Sequence, residues 1–325
     1  MLKGLALTPP VIGRISIGKV VEKNGKRLPE KDDEFTVTSQ VQGKDGWVNH
    51  PVDETLRKTE GTKLRTIPVR LLFDDPELNL RANYHLFDRQ SGRPLCVGNG
   101  ETCRRSLAAG VQTLPCPSPE GCDLAKGGFC KPYGRLNVRI GDDDELGSFV
   151  FRTTGFNSIR TLSSRLSYFH AVSGGLLSTL PLELRLRGKS TTQSHRAPIY
   201  YVDLTVKTGM TMAEAIASAK AESEVRKEAG FDQSALDKAA RLGFAAGAFE
   251  ESEEEGAAVV EEFFPDEGDT WSGDPSVGTT GGAHGANKAK TVLADKLNQK
   301  AALMNGAGAA ISIQHLARQP HAAGP

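Results

Sequence analysis

The chain has 325 residues, 38% of them hydrophobic and 25% charged, with 40 basic residues balanced by 40 acidic ones. That length suits one large domain or two smaller ones with a proper core, and no stretch approaches the roughly 18 apolar residues of a membrane span. The balance is uneven: residues 1–208 hold 30 Lys and Arg against 22 Asp and Glu, and residues 209–325 hold 10 against 18, a basic body and acidic tail of the kind found in proteins that handle nucleic acid or a basic partner.

The opening "LKGLALTPPVIGRISIGK" has a short apolar run broken by prolines, with no small-residue cleavage site after it. It does not read as a signal peptide, so a cytoplasmic location with reduced thiols is expected. Strands follow by their period of two. "EFTVTSQV" alternates Phe35, Val37 and Val41 with polar residues; "TIPVRLLF" does the same with Ile67, Val69, Leu71 and Phe73. Pro68 suggests an edge or a strand start there. "LRANYHLF" sets Leu80, Ala82, Tyr84 and Leu86 on one face, and "RLNVRI", "GSFVFRTT", "LELRLRG" and "IYYVDLTVK" repeat the pattern. Polar residues at alternate positions favour antiparallel pairing.

One helix interrupts the strands. "FNSIRTLSSRLSYFHAVSGG" offers Asn157 as N-cap, Ile159, Leu162, Leu166 and Phe169 at helical spacing, and Gly174 as the stop. Arg160 and Arg165 fall off the apolar stripe and are candidates for facing a partner. Thr211 and Glu214 have the spacing of a capping box and open a helix that ends near Gly230. From residue 231 onward the chain is short-helical, then acidic, then rich in Gly, Ser and Thr, a composition that cannot repay its ordering entropy. Phe263, Phe264 and Trp271 stand there among carboxylates, as in a docking peptide for a protein partner.

The fold class expected is therefore α+β: a mostly antiparallel β-sheet domain over residues 1–208, with few helices and a cysteine-rich excursion over residues 96–131. A helix over residues 209–230 and a long, largely disordered acidic and Gly-rich tail over residues 231–325 complete it.

All five cysteines lie between Cys96 and Cys130. An odd number of cysteines in a reducing compartment points away from disulfides and toward a metal. Structural zinc takes four ligands at tetrahedral corners. "CPSPEGC" and "CDLAKGGFC" carry Pro and Gly that turn the chain back on itself, which makes Cys116, Cys122 and Cys130 three ligands. Cys103 is the preferred fourth, ahead of a short helix in "RRSLAAG", with Cys96 or a histidine as alternatives. An iron–sulfur cluster and a nucleophilic cysteine are the competing uses of these thiols. Arg104, Arg105, Lys126, Lys131 and Arg135 would form a basic rim around the segment. The seven histidines are scattered, no H-E-x-x-H motif occurs, and no catalytic residue is assigned. Asp142 to Glu145 reads as an acidic hairpin turn, and "GNGE" at Gly98 to Glu101 as a turn without the lysine of a phosphate loop.

The order of "LKGLALTPPVIGRISIGK", "GNGETCRR", "CPSPEGCDLAKGGFC" running into "GRLNVRI", and "GSFVFRTTGFNSIRTL" resembles the recombination directionality factor-like proteins of phages and integrative elements, over about residues 1–210. Members are often labelled only as hydrolase or metal-binding protein. The better understood ones bind a large serine integrase on DNA and switch it from integration to excision. The resemblance implies a zinc-binding accessory of recombination, with the cysteines as its metal-binding segment and a serine integrase, DNA or both as partner. The alternatives are a metal-dependent hydrolase, such as a nuclease, and a single-strand-binding replication helper.

Overall fold

The computed structural model describes residues 10–23, 26–43, 46–61, 63–141, 147–190, 198–246 and Phe263. Twelve strands form one branched sheet. The main path runs β3 (Gly46–Asn49), β2 (Lys26–Gly43), β1 (Val11–Lys23), β10 (Ser148–Thr153), β9 (Cys130–Arg139), β5 (Leu80–Phe87), β6 (Pro94–Gly98), β7 (Thr102–Leu107) and β8 (Gly110–Pro115). Strand β9 is the fork. One edge pairs with β10, while the other pairs with β5 along residues 130–136 and with β4 (Thr66–Leu71) at residues 138–139. Strand β4 leads on to β11 (Leu182–Lys189) and β12 (Ile199–Val206). Among the described residues every pairing is antiparallel except β1 with β10 and β2 with β3.

The core lies on one face of this sheet. Phe35 and Val37 of β2, Ile15 of β1, Phe149 and Phe151 of β10, and Leu136 and Val138 of β9 alternate into it. The helix α4 (Phe156–Ser173) lays Ile159, Leu162, Leu166 and Phe169 on the same face. Gly134 lets it approach, since a Cβ there would stand 2.9 Å from Ile159 Cγ1. Gly174 stops α4 in the left-handed region, at φ 70°. Helix α5 (Met212–Glu228) adds Ala215 and Ala219, and the Thr211–Glu214 capping box is formed. Among the described residues no helix is long and apolar enough to cross a membrane.

Four expectations change. Gly155, not Asn157, is the N-cap of α4; Asn157 lies inside the helix, its Oδ1 accepting from Lys189 Nζ at 2.7 Å. The "RRSLAAG" segment is strand β7 and the turn into β8. Pro68 sits inside β4 rather than on an outer strand, but it pairs only toward β11, so its missing N–H breaks no ladder. Three helices were not anticipated: α1 (Pro51–Glu60) and the single turns α2 (Pro76–Asn79) and α3 (Ser118–Gly121). Buried Asp53 of α1 accepts from Val37 N at 2.8 Å and pairs with Arg57 at 2.7 Å; Arg57 also reaches Glu34 at 2.6 Å and donates to Phe35 O at 2.9 Å. This network ties α1 to β2.

Helix α6 (Gln233–Ala246) packs on the 72–79 corner, with Ala240 buried against Leu72, Phe73 and Leu78. The remaining tail residues lie outside the description, apart from Phe263. Phe264, Trp271 and Asp142 to Glu145 are among the residues not described.

Candidate functional site

Strand register fixes which side chains share a face. On the core face, Leu86 of β5 stands opposite both Cys96 of β6 and Cys130 of β9, and Gly98 of β6 stands opposite Cys103 of β7. Cys96, Cys103 and Cys130 therefore line one side of the sheet beyond the end of the apolar core. Cys116 follows β8, its N–H donating to Glu101 O at 2.8 Å. Cys122 lies between α3 (Ser118–Gly121) and a 3₁₀ turn (Asp123–Ala125) that returns the chain to β9. Burial first, and then the adjoining Cys96 thiol, push Cys103 up to about 11. Burial pushes Cys130 up to about 12, with the charges of Cys96, Cys122, Cys116 and Cys103 acting in the same direction.

Gly98 is the spatial key. A Cβ at this position would lie 2.8 Å from Cys116 Sγ and 2.8 Å from Cys103 Cβ, so only glycine leaves room for these groups. Beyond β5 the arm of β6, β7 and β8 has almost no apolar interior. Its buried positions are Pro94, Cys96, Gly98 and Cys103. Leu95, Leu107, Val111, Leu124 and Phe129 around it are exposed. A module this small needs a staple other than a hydrophobic core. Sulfur donors of this kind are the chemistry that zinc takes. Among the described residues no group of three or more His, Cys, Asp or Glu side chains is placed so that it could hold a metal ion. His85, the histidine nearest the segment, stands opposite Lys131 and so faces away from the thiols.

The expected basic rim does not exist as one surface, because alternation along the strands divides it. Arg105 faces the thiols, its Nη2 4.0 Å from Cys103 Sγ. Lys126 is exposed and pairs with Asp123 at 2.7 Å. Arg160 is exposed on α4, and Arg165 is engaged by Asp203 of β12 at 3.0 Å. Arg104, Lys131 and Arg135 share the opposite face of the sheet, where the register adds residues the sequence did not single out. Arg81 of β5, Arg135 of β9 and Arg152 of β10 stand directly side by side, and Arg70 and Arg139 form a further cross-strand pair. Like charges in register repel, so this row concentrates positive charge on one face; Arg81 also lies over the Phe244 ring of α6, its Cζ 4.3 Å from the ring centre. The signal was in the sequence as Arg at alternate positions of "RLNVRI" and as single Arg in "LRANYH" and "FVFRTT", but it acquires meaning only once the strands are aligned.

Beside the row, His85 and Phe87 of β5 and Tyr133 of β9 form an aromatic cluster: His85 stacks on Phe87 at 5.2 Å, and Tyr133 meets Phe87 edge-on at 5.4 Å. Phe263 completes it. Expected as an exposed docking residue, it is fully buried, because its own chain supplies the pocket.

At the level of class, this is a sheet-built protein with a thiol-lined arm at one edge and an arginine-bearing face. The particular family follows from comparison: the model of the Gp3-like family, described as recombination directionality factor-like, matches residues 12–207. The chain belongs to that family, whose description ties it to the control of recombination. No curated protein and no solved structure matches it.

Proposed function

We propose that this protein sets the direction of a site-specific recombinase, a serine integrase, by binding it, and that a zinc ion held by the arm cysteines shapes the binding surface. The observation that carries the metal is the arm itself, whose interior is made of thiols around Gly98 where a core would otherwise be. Cys116, Cys122 and Cys130 with Cys103 or Cys96 would hold the ion, which supplies a four-way cross-link when bound. The exposed Leu107, Val111, Leu124 and Phe129 supply apolar contact area, and Arg104 adds charge on the far side of the arm. The work required is modest. Moving a recombinase from 1:99 to 99:1 between two conformations takes about 5.5 kcal/mol of differential binding, within reach of one protein interface.

The test pairs this protein with the serine integrase of its own genetic element and follows excision and integration of matched DNA substrates. Added protein is expected to favour excision, and chelation of the metal is expected to abolish the bias. Substitution Cys116→Ser is expected to remove a zinc stoichiometry of one per chain and the bias with it. An unchanged product ratio at saturating protein refutes the directional role. A chain that binds no zinc yet retains the bias refutes the metal.

A further inference from the structure

Phe263 lies far along the chain from the sheet it contacts, and its contacts are those of a ligand in a receptor. Its ring meets Phe87 at 4.8 Å and 73°, and Tyr133 at 6.0 Å and 72°. Lys131 Nζ sits 5.4 Å from the ring centre and donates to the Phe263 carbonyl at 3.1 Å. That lysine is half-buried; burial and the nearby Arg89 hold it below its ordinary value, so an electron-rich occupant suits it. Beyond Tyr133 on the same face of β9 stands Arg135, its Cζ 6.0 Å from the Tyr133 ring, which opens the row Arg81–Arg135–Arg152. The sequence around the bound side chain is Glu261-Glu262-Phe263-Phe264-Pro265-Asp266-Glu267. Two carboxylate residues thus immediately precede the anchored phenylalanine in sequence.

We propose that the pocket of His85, Phe87, Tyr133 and Lys131, flanked by the arginine row, is a receptor for acidic peptides that carry a phenylalanine, and that Phe263 is its resident occupant. A partner protein bearing such a peptide gains this face by displacing Phe263. Aromatic walls specify the ring, Lys131 specifies a backbone carbonyl, and the guanidinium row specifies the acidic flank. The occupant seen is itself peptide, its ring between Phe87 and Tyr133 and its backbone carbonyl on Lys131, so a peptide is favoured over nucleic acid. The inference stands apart from the metal, since the pocket and the thiols occupy opposite faces of the sheet.

The experiment uses the full chain and a fluorescein-labelled peptide of residues 256–268. Tethering gives Phe263 an effective concentration of the order of millimolar, so wild type should capture the peptide at least ~10-fold more weakly than Phe263→Ala. The same peptide with alanine in place of its Phe263 should not bind, and affinity should fall with added salt and with Arg135→Glu. Addition of the peptide should also raise the Tm of Phe263→Ala. If that variant does not fold, Phe263→Leu replaces it and should show intermediate capture. Equal binding to wild type and variant, binding to neither, or binding that survives loss of the peptide's phenylalanine overturns the proposal. So does a variant that gains affinity for a labelled oligonucleotide and not for the peptide.

Discussion

Replacing Gly98 by alanine places one methyl group where two cysteines meet. The new Cβ would stand 2.8 Å from Cys116 Sγ, 2.8 Å from Cys103 Cβ and 3.1 Å from Thr102 O. Without an ion the Cys116 thiol can swing away and relieve its contact, leaving those with Cys103 Cβ and Thr102 O; with an ion bound the thiol is fixed, so the extra strain is borne by the metal-loaded state. Overpacking of this kind costs about 1–3 kcal/mol, which converts to zinc binding about 5- to 150-fold weaker. Gly134→Ala is the matched control. Its Cβ would press on Ile159 at 2.9 Å, inside the α4–sheet core, so it should lower the urea midpoint of the whole domain and leave zinc affinity within about twofold. Competition with a chromophoric chelator measures the first quantity, and urea titration followed by circular dichroism measures the second. Undiminished zinc affinity in a folded Gly98→Ala protein would refute the reasoning, as would equal weakening by both substitutions.

Three further outcomes follow from buried polar groups. Asn79 is fully buried, its Oδ1 accepting from Leu72 N and Phe73 N at 3.1 Å each and its Nδ2 donating to Phe73 O at 2.7 Å and Asp75 O at 2.9 Å; Asn79→Ala should cost about 2–4 kcal/mol in urea with unchanged m. Arg57→Met strands the buried Asp53 carboxylate and should lower stability by about 2–4 kcal/mol, read as a fall in Tm; a change near zero would mean that the network does not hold α1. Burial alone would raise the Glu183 carboxyl, but the Thr208 amide, Arg185 and the Thr208 hydroxyl bring it below its ordinary 4.5. Its contribution is thus complete above pH 4.5 and drains as pH falls through the lower folded value, so Glu183→Gln should flatten the acid limb of stability against pH. An acid limb of unchanged slope would assign the effect to other groups.

The strands were legible wherever one face meets core and the other does not, as in β4 with Ile67, Val69 and Leu71 buried in alternation. Helix α5 was legible from its capping box, and α4 from its stripe. Strand β5 was half-read. Leu80 is buried as its pattern implied, yet at the other end His85 and Phe87 are the buried residues, on the opposite face. Local pattern cannot show this, because the cover is Phe263, more than a hundred residues away in sequence. Helix α1 carried signals in Pro51 at its start, Asp53 and Glu54 in its first turn, and Arg57 and Lys58 in its last. Its apolar side is only Val52 and Leu56, which pack on the core, and two positions in a ten-residue helix are too few to set a period. The cysteine segment showed by composition only that five thiols gather within it. Its form did not follow, because a meander whose inward positions are Cys and Gly lacks the Val and Ile that mark strands. The arginine row is a property of register alone, and register is not written in any single strand.

The parallel pairing of β1 with β10 has a consequence for how the protein is born. Val11 aligns with Ser148, whose N–H donates to Pro10 O at 2.8 Å, so the first strand of the chain finds its inner neighbour only after the tenth has been synthesised. On the ribosome the amino-terminal hairpin must wait with one side bare, and a bare strand is a template for any other chain that can pair with it. Neighbouring ribosomes on one message present identical hairpins at identical stages. Slowing translation across residues 50–150 should therefore lower the soluble yield of this protein more than that of a helical protein of equal length.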